Sequence, residues 1–192
     1  MTVQEQKILN AIKYFVCKTK YVGRTKLFKL LYFWDFLYFS KHGKYITGFE
    51  YYTLPFGPVP KEFYESIEKD NLPPYLKNEI SIIDDKEFEK EDGYKQFKIL
   101  LKNKRIDLDF FTPYEYELLE TVGFIFKESN ASQMTEASHF KNLPWDETVK
   151  QRGLWKLIDY NLALNKDTEL DQVEIEERLS LQKGLYHNAY NS

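Results

Sequence analysis

The chain is poor in most of the residues on which a catalytic or metal-binding reading would rest. Its 192 residues include one cysteine and three histidines. The lone Cys17 excludes an intramolecular disulfide and fits a reducing compartment. Its flank, IKYFVCKTK, reads as the end of an amphipathic helix, which makes Cys17 a structural residue rather than a nucleophile. His42, His139 and His187 are far apart, and none pairs with a His or Cys at metal-ligand spacing. HExxH, CxxC, GxSxG and the glycine-rich phosphate loops GxxxxGK[ST] and GxGxxG are absent. Acidic pairs on helices read as solvated faces. The expectation is therefore a protein without cofactor or metal that is not an enzyme.

Long hydrophobic runs are missing too. The richest stretch, residues 30–39, is interrupted by Asp35 and is too short to span a bilayer. The start, MTVQEQKILN, is polar and has no apolar core or small-residue cleavage site, so a signal peptide is not expected and a cytoplasmic location is. Twenty-seven basic against 30 acidic residues give a net charge of −3, which argues against a strongly basic nucleic-acid binder. The basic clusters KTKYVGRTK and LKNKR match no recognition-helix or RNP pattern and read as solvent-facing charge near element ends.

What the chain has is aromatic surface: fifteen Tyr and fifteen Phe, with seven aromatic residues among the fourteen from 26 to 39. Leu27, Leu30, Leu31, Trp34, Leu37 and Tyr38 make one apolar stripe, and Phe28, Tyr32, Phe33, Phe36 and Phe39 cover much of the rest. A helix that is apolar on nearly every side is buried on nearly every side. Residues 25–42 are therefore expected to be the central helix, ended by Gly43. Lys29 and Asp35 interrupt it and are expected to pair with other charges inside.

The other elements follow from local signals. TVQE at residues 2–5 is a capping box that opens a helix reaching about Lys18. Residues 46–54 read as a strand, PFGPVP as a turn, and Pro60 as the start of a helix with Phe63, Tyr64 and Ile67 inward. Residues 79–84 and 94–101 read as a hairpin around an exposed acidic loop, with residues 50–54 as a candidate third strand. Thr112, Pro113 and Glu115 start another helix. Further helices are read at NASQMTEASHF, at PWDETVKQRG and, highly charged, at residues 171–183. The fold class expected is α+β and predominantly α-helical. Helices pack round the aromatic-rich central one, with a small antiparallel hairpin or three-stranded sheet. One domain is expected over residues 1–183, with 184–192 as a mobile tail.

Four segments in order carry a family resemblance. They are Lys29-Leu30-Leu31-Tyr32-Phe33, then Gly43 to Gly48 with Phe49-Glu50-Tyr51, then Gly57-Pro58-Val59-Pro60, and ASQMTEASHFKNLPW with His139, Pro144 and Trp145. Together, over about residues 4–153, they resemble the Panacea domain, also called SocA-like and often associated with phage and genetic elements. Ser138 stands where the family often has Thr. The resemblance implies an antitoxin of a toxin–antitoxin system that neutralises a cognate, nearby-encoded protein toxin by direct contact and occlusion. It implies no catalytic residues. A proteolytic adaptor delivering a toxin to a ClpX-type protease is an alternative, as is a DNA-binding autoregulator. The candidate toxin-binding residues are Tyr52, Phe56, Gly57, Pro58, Val59, His139 and Trp145. Trp34 is a further residue of anchor type. His139 reads as a helix-capping residue that bonds the next loop.

Overall fold

The computed structural model describes residues 1–84, 97–164, 168 and 170–190, with side chains for all of these except 84 and 183–190. The acidic loop expected at residues 85–93 lies outside them.

α1 (Val3–Lys18) opens with the expected capping box. Thr2 Oγ1 accepts from the Glu5 amide, and the Thr2 amide donates to Glu5 at 2.7 Å. α2 (Arg24–His42) is the central helix and ends at Gly43 in the left-handed region, φ 61°. Leu27, Phe28, Leu30, Leu31, Trp34 and Phe39 are sealed inside it. Leu37, placed on the stripe by periodicity, is instead 40% exposed. Lys29 and Asp35 are as enclosed as Leu27, Leu30, Leu31 and Trp34, so polarity does not mark an outer face of this helix.

β1 (Tyr51–Leu54) and β2 (Gly57–Pro60) form one antiparallel hairpin, and β3 (Ile80–Asp84) and β4 (Phe97–Leu101) another. They are separate two-stranded sheets, so β1 does not extend the second hairpin. GPVP is a strand, and the turn is only Pro55–Phe56. Proline survives there because of parity. Pro58 and Pro60 face Thr53 and Tyr51, whose backbone groups point away from β2. Those groups bond the segment 155–158 instead: Thr53 N to Lys156 O (2.9 Å), Trp155 N to Thr53 O (2.6 Å) and Ile158 N to Tyr51 O (2.8 Å). The missing proline donors thus fall on the hairpin's outer edge and cost no ladder bond.

α3 (Lys61–Glu68) buries Phe63 and Ile67, and α4 (Pro74–Lys77) is a single short turn after the prolines. α5 (Pro113–Ile125) repeats the box at its start, Thr112 with Glu115. Trp34 Nε1 donates to Glu115 O at 2.9 Å, which ties α5 to α2. α6 (Ala131–Ser138) and α7 (Pro144–Arg152) follow, and Gly153 stops α7 at φ 83°. Residues 154–158 are extended along β1 and lead to a 3-10 turn at Tyr160–Ala163. α8 (Gln172–Tyr190) runs past the expected end at Lys183. Its Ile175 is buried, close to Gly43.

The architecture is α+β and predominantly helical, with α2 at its centre. Among the described residues, no helix is long and apolar enough to cross a membrane.

Candidate interaction site

One side of α2, from Lys29 to Phe39, meets the β1–β2 hairpin, α6 and the 3-10 turn, and α7 packs on β1 and that turn. All four family-like segments converge here, held by two buried polar residues of α2.

The first is Asp35, with no exposed surface. Its Oδ1 accepts the amides of Ile46 and Thr47, each at 2.9 Å. Its Oδ2 accepts the hydroxyls of Thr47, of Tyr51 at 2.9 Å and of Tyr160 at 3.4 Å. Burial pushes the carboxyl's pKa up, and these donors oppose the shift by favouring the carboxylate. Among the described residues the charged partner expected for Asp35 is absent; backbone amides and hydroxyls serve instead.

The second is Lys29. Its Nζ donates to Pro58 O at 3.1 Å and, among the described residues, enters no ion pair. The second expected charge pair is therefore absent as well. Burial pushes the Lys29 ammonium down to about 7. Gly57 lies against it at φ 100°. A Cβ there would stand 2.6 Å from Ser138 Oγ, 2.7 Å from Lys29 Cε and 3.0 Å from Lys29 Nζ. Ser138 is fixed by its own bond to Thr135 O at 2.8 Å. Gly57→Ala is accordingly expected to lower stability by about 2 kcal/mol, from strain and overpacking together. Urea unfolding measures it, and an unchanged midpoint contradicts the close approach.

His139 caps α6, but its ring packs flat on Trp145, with centroids 3.6 Å apart and planes at 12°. Its Nε2 is buried and has no hydrogen-bond partner among the described residues, so the expected bond to the next loop is not made through that nitrogen. Desolvation, then the nearby Lys29 charge, lowers the His139 pKa. Trp145 is 9% exposed and donates through Nε1 to Leu54 O at 3.2 Å. Leu30 is core, Tyr32 is sealed against Phe36 and Tyr51, and Phe33 stacks on Phe126.

Burial therefore divides the predicted contact residues. Gly57, Pro58, Val59 and Trp145 are inside and shape the surface from beneath; Trp34 is core. Tyr52 is half-buried under the Lys61 ammonium, 4.9 Å from its ring centroid. Phe56, at the hairpin tip, is 59% exposed. Trp155 went unnoticed in the sequence. It is 64% exposed and held at φ 63°, with its amide bonded to Thr53 O. Phe56 and Trp155 line a groove of 220 Å³ shared with Arg24, Tyr64 and Lys29. Arg24 pairs with Glu68, and its guanidinium lies over the Phe97 and Tyr64 rings at 4.0 and 5.1 Å.

Gly48 and Glu50 open onto a separate cavity of 440 Å³ walled by Tyr45, Phe49 and Tyr160. Gly48 is favoured by its φ of 69°, and a Cβ there would also displace the end of the Gln4 side chain, whose Nε2 stands 2.5 Å away. The N-terminal basic cluster is largely consumed. Lys26 Nζ is turned inward onto the carbonyls of Lys20, Phe126 and Ser129, each at 2.7 Å, and Lys20 pairs with Glu128 at 2.8 Å. Among the described residues, no group of three or more His, Cys, Asp or Glu could hold a metal ion.

The family model described as antitoxin SocA-like, Panacea domain, matches residues 27–146. No curated protein and no solved structure matches the chain. The matched span runs from the first turn of α2 to the start of α7 and includes Asp35, Lys29, Gly57, His139 and Trp145, which take part in the contacts described above. The chain belongs to the antitoxin SocA-like, Panacea-domain family.

Proposed function

We propose that the chain is an antitoxin that neutralises a cognate, nearby-encoded protein toxin in the cytoplasm. It does so by direct binding, covering the toxin's active or substrate site, and needs no reaction of its own. The observation that carries this reading is the family match, with its antitoxin description, over a span that supplies Phe56 and Lys29 to an exposed aromatic groove completed by Trp155 beyond it. Large aromatic side chains at the centre of an interface supply most of its binding energy. Phe56 and Trp155 are held by rigid backbone, one at a proline turn and one pinned to β1, so little conformational entropy is lost when a partner covers them.

Co-expression with the adjacent gene product, followed by pull-down and size-exclusion chromatography, tests the reading. Growth rescue with a stable complex supports it. Phe56→Ala and Trp155→Ala are each expected to weaken that complex about tenfold, and unchanged affinity in both would move the interface elsewhere. Rescue without a complex would overturn occlusion in favour of protease delivery. Neither toxicity nor complex would sink the antitoxin reading.

A further inference from the structure

We infer that the groove between Phe56 and Trp155 receives an acidic side chain of the partner protein, whose carboxylate pairs with the Lys29 ammonium. The identity of the partner rests on the antitoxin reading; the chemistry of the groove does not.

An ammonium has three donors, and among the described residues Lys29 Nζ has one acceptor, the Pro58 carbonyl. A buried charge without a counter-ion is among the most costly features a fold can carry. Lys29 is only 1% exposed, but it lines the inner wall of a groove open to solvent, so a ligand that enters the groove comes against it from that side. The other walls are the rings of Phe28, Phe56, Tyr64 and Trp155, and none of the described lining residues is acidic. Arg24 lines the same groove but is already paired with Glu68, which leaves Lys29 as the groove's uncompensated charge among the described residues. Apolar walls over an unpaired cation match an aspartate or glutamate flanked by an apolar residue. A basic or purely apolar occupant would leave Lys29 as it is. The volume of 220 Å³ admits a side chain and excludes a folded element.

The first arm measures the affinity of the chain for the adjacent gene product. Lys29→Met keeps the side chain's length and removes its charge; it is expected to cost at least tenfold in affinity. Tyr114→Ala, beside His42 at the far end of α2, is the control and is expected to bind unchanged. Full affinity in a folded Lys29→Met protein overturns the inference while leaving the antitoxin reading intact.

The second arm needs no toxin. N-acetyl-Phe-Asp amide is titrated into the wild-type chain and followed by amide chemical shifts. Saturable binding that perturbs the Phe56 and Trp155 amides is expected. The Asn version of the dipeptide, and Lys29→Met with the Asp version, are expected to bind at least tenfold more weakly. Equal binding of the Asp and Asn dipeptides, or no saturable binding of either, overturns the inference. If the adjacent gene product shows neither toxicity nor complex while the dipeptide arm discriminates charge, the antitoxin reading falls and the acidic-side-chain receptor stands.

Discussion

Asp35→Ala lowers the stability of the chain by about 4 kcal/mol, enough to move its melting temperature down by roughly 10–15 °C. The loss follows from what surrounds the carboxylate rather than from the carboxylate's own packing. Two backbone amides and three hydroxyls point at it from a fully enclosed position. Alanine takes this acceptor from all of them; Tyr160 keeps Phe49 O at 3.0 Å, but the two amides are left without one, and an unsatisfied buried donor costs about 1–3 kcal/mol. The hydroxyls of Thr47, Tyr51 and Tyr160 can turn toward other acceptors; the amides of Ile46 and Thr47 cannot. Asp35→Asn gives the smaller loss, about 1–2 kcal/mol, because its carbonyl oxygen still accepts both amides and its amide group can donate to the tyrosine oxygens. Thermal unfolding of the three proteins tests the ordering. An alanine variant that melts within about 2 °C of wild type would show that Asp35 does not hold this loop. The substitution also has a local signature. Residues 46–47, β1 and the 3-10 turn all converge on this one side chain, so hydrogen exchange should accelerate there before it does in α5.

Much of this framework is legible in the sequence wherever the deciding interaction is local. The boxes of Thr2 with Glu5 and Thr112 with Glu115 span three residues, and the chain starts helices at both. Gly43 and Gly153 end helices for the same kind of reason. The burial of α2 is legible because seven aromatic residues in fourteen cannot all face water.

Where the deciding partner is distant in the chain, the pattern misleads. Proline argues against strand, yet β2 carries two, because the ladder on its far side is empty and the next strand-like segment pairs with β1 instead. The segment after Gly153 contains Leu154, Leu157 and Ile158, yet it is extended, drawn out by Thr53 and Tyr51 a hundred residues earlier. That pairing also sets Trp155 on the surface, and nothing within a few residues of Trp155 announces it. Trp145 and Trp34 show the converse. Tryptophan is an interface residue type, but each here reaches a buried carbonyl, Leu54 O or Glu115 O, and is enclosed by it. Of the candidate contacts, the hairpin tip was legible through its prolines, and its partner across the groove was not.

Lys29 is the clearest case in which the fold carries a cost the sequence does not explain, and its removal is expected to stabilise the protein. Lys29→Met is predicted to be about 3 kcal/mol more stable than wild type at pH 7. Holding the ammonium at about 7 rather than near 10.5 corresponds to about 4–5 kcal/mol as a ceiling. The lost bond to Pro58 O, whose carbonyl is left without that donor, offsets part of the gain. The pH dependence gives the sign. A lysine whose folded pKa lies below its unfolded value binds fewer protons in the native state between the two. Wild-type stability from this group therefore rises as pH climbs from about 7 to about 10.5, is lowest and flat below 7, and carries no penalty above 10.5. Methionine does not titrate, so the gap between the two proteins should close almost entirely by pH 10. Lys26, pushed down to about 8 by burial, shifts both proteins in the same direction. The tyrosines Tyr32, Tyr51 and Tyr160, whose pKa values burial raises, lower the stability of both above about pH 10. The difference between variant and wild type isolates Lys29 from all of them. Urea denaturation at pH 7 and pH 10 checks it; a gap that ignores pH, or a methionine variant weaker than wild type at pH 7, would refute the buried-charge account. A stabilised variant that has also lost its partner would give the lysine a reason to be there. The fold would then hold an unpaired cation in the free chain because a carboxylate from outside is what completes it.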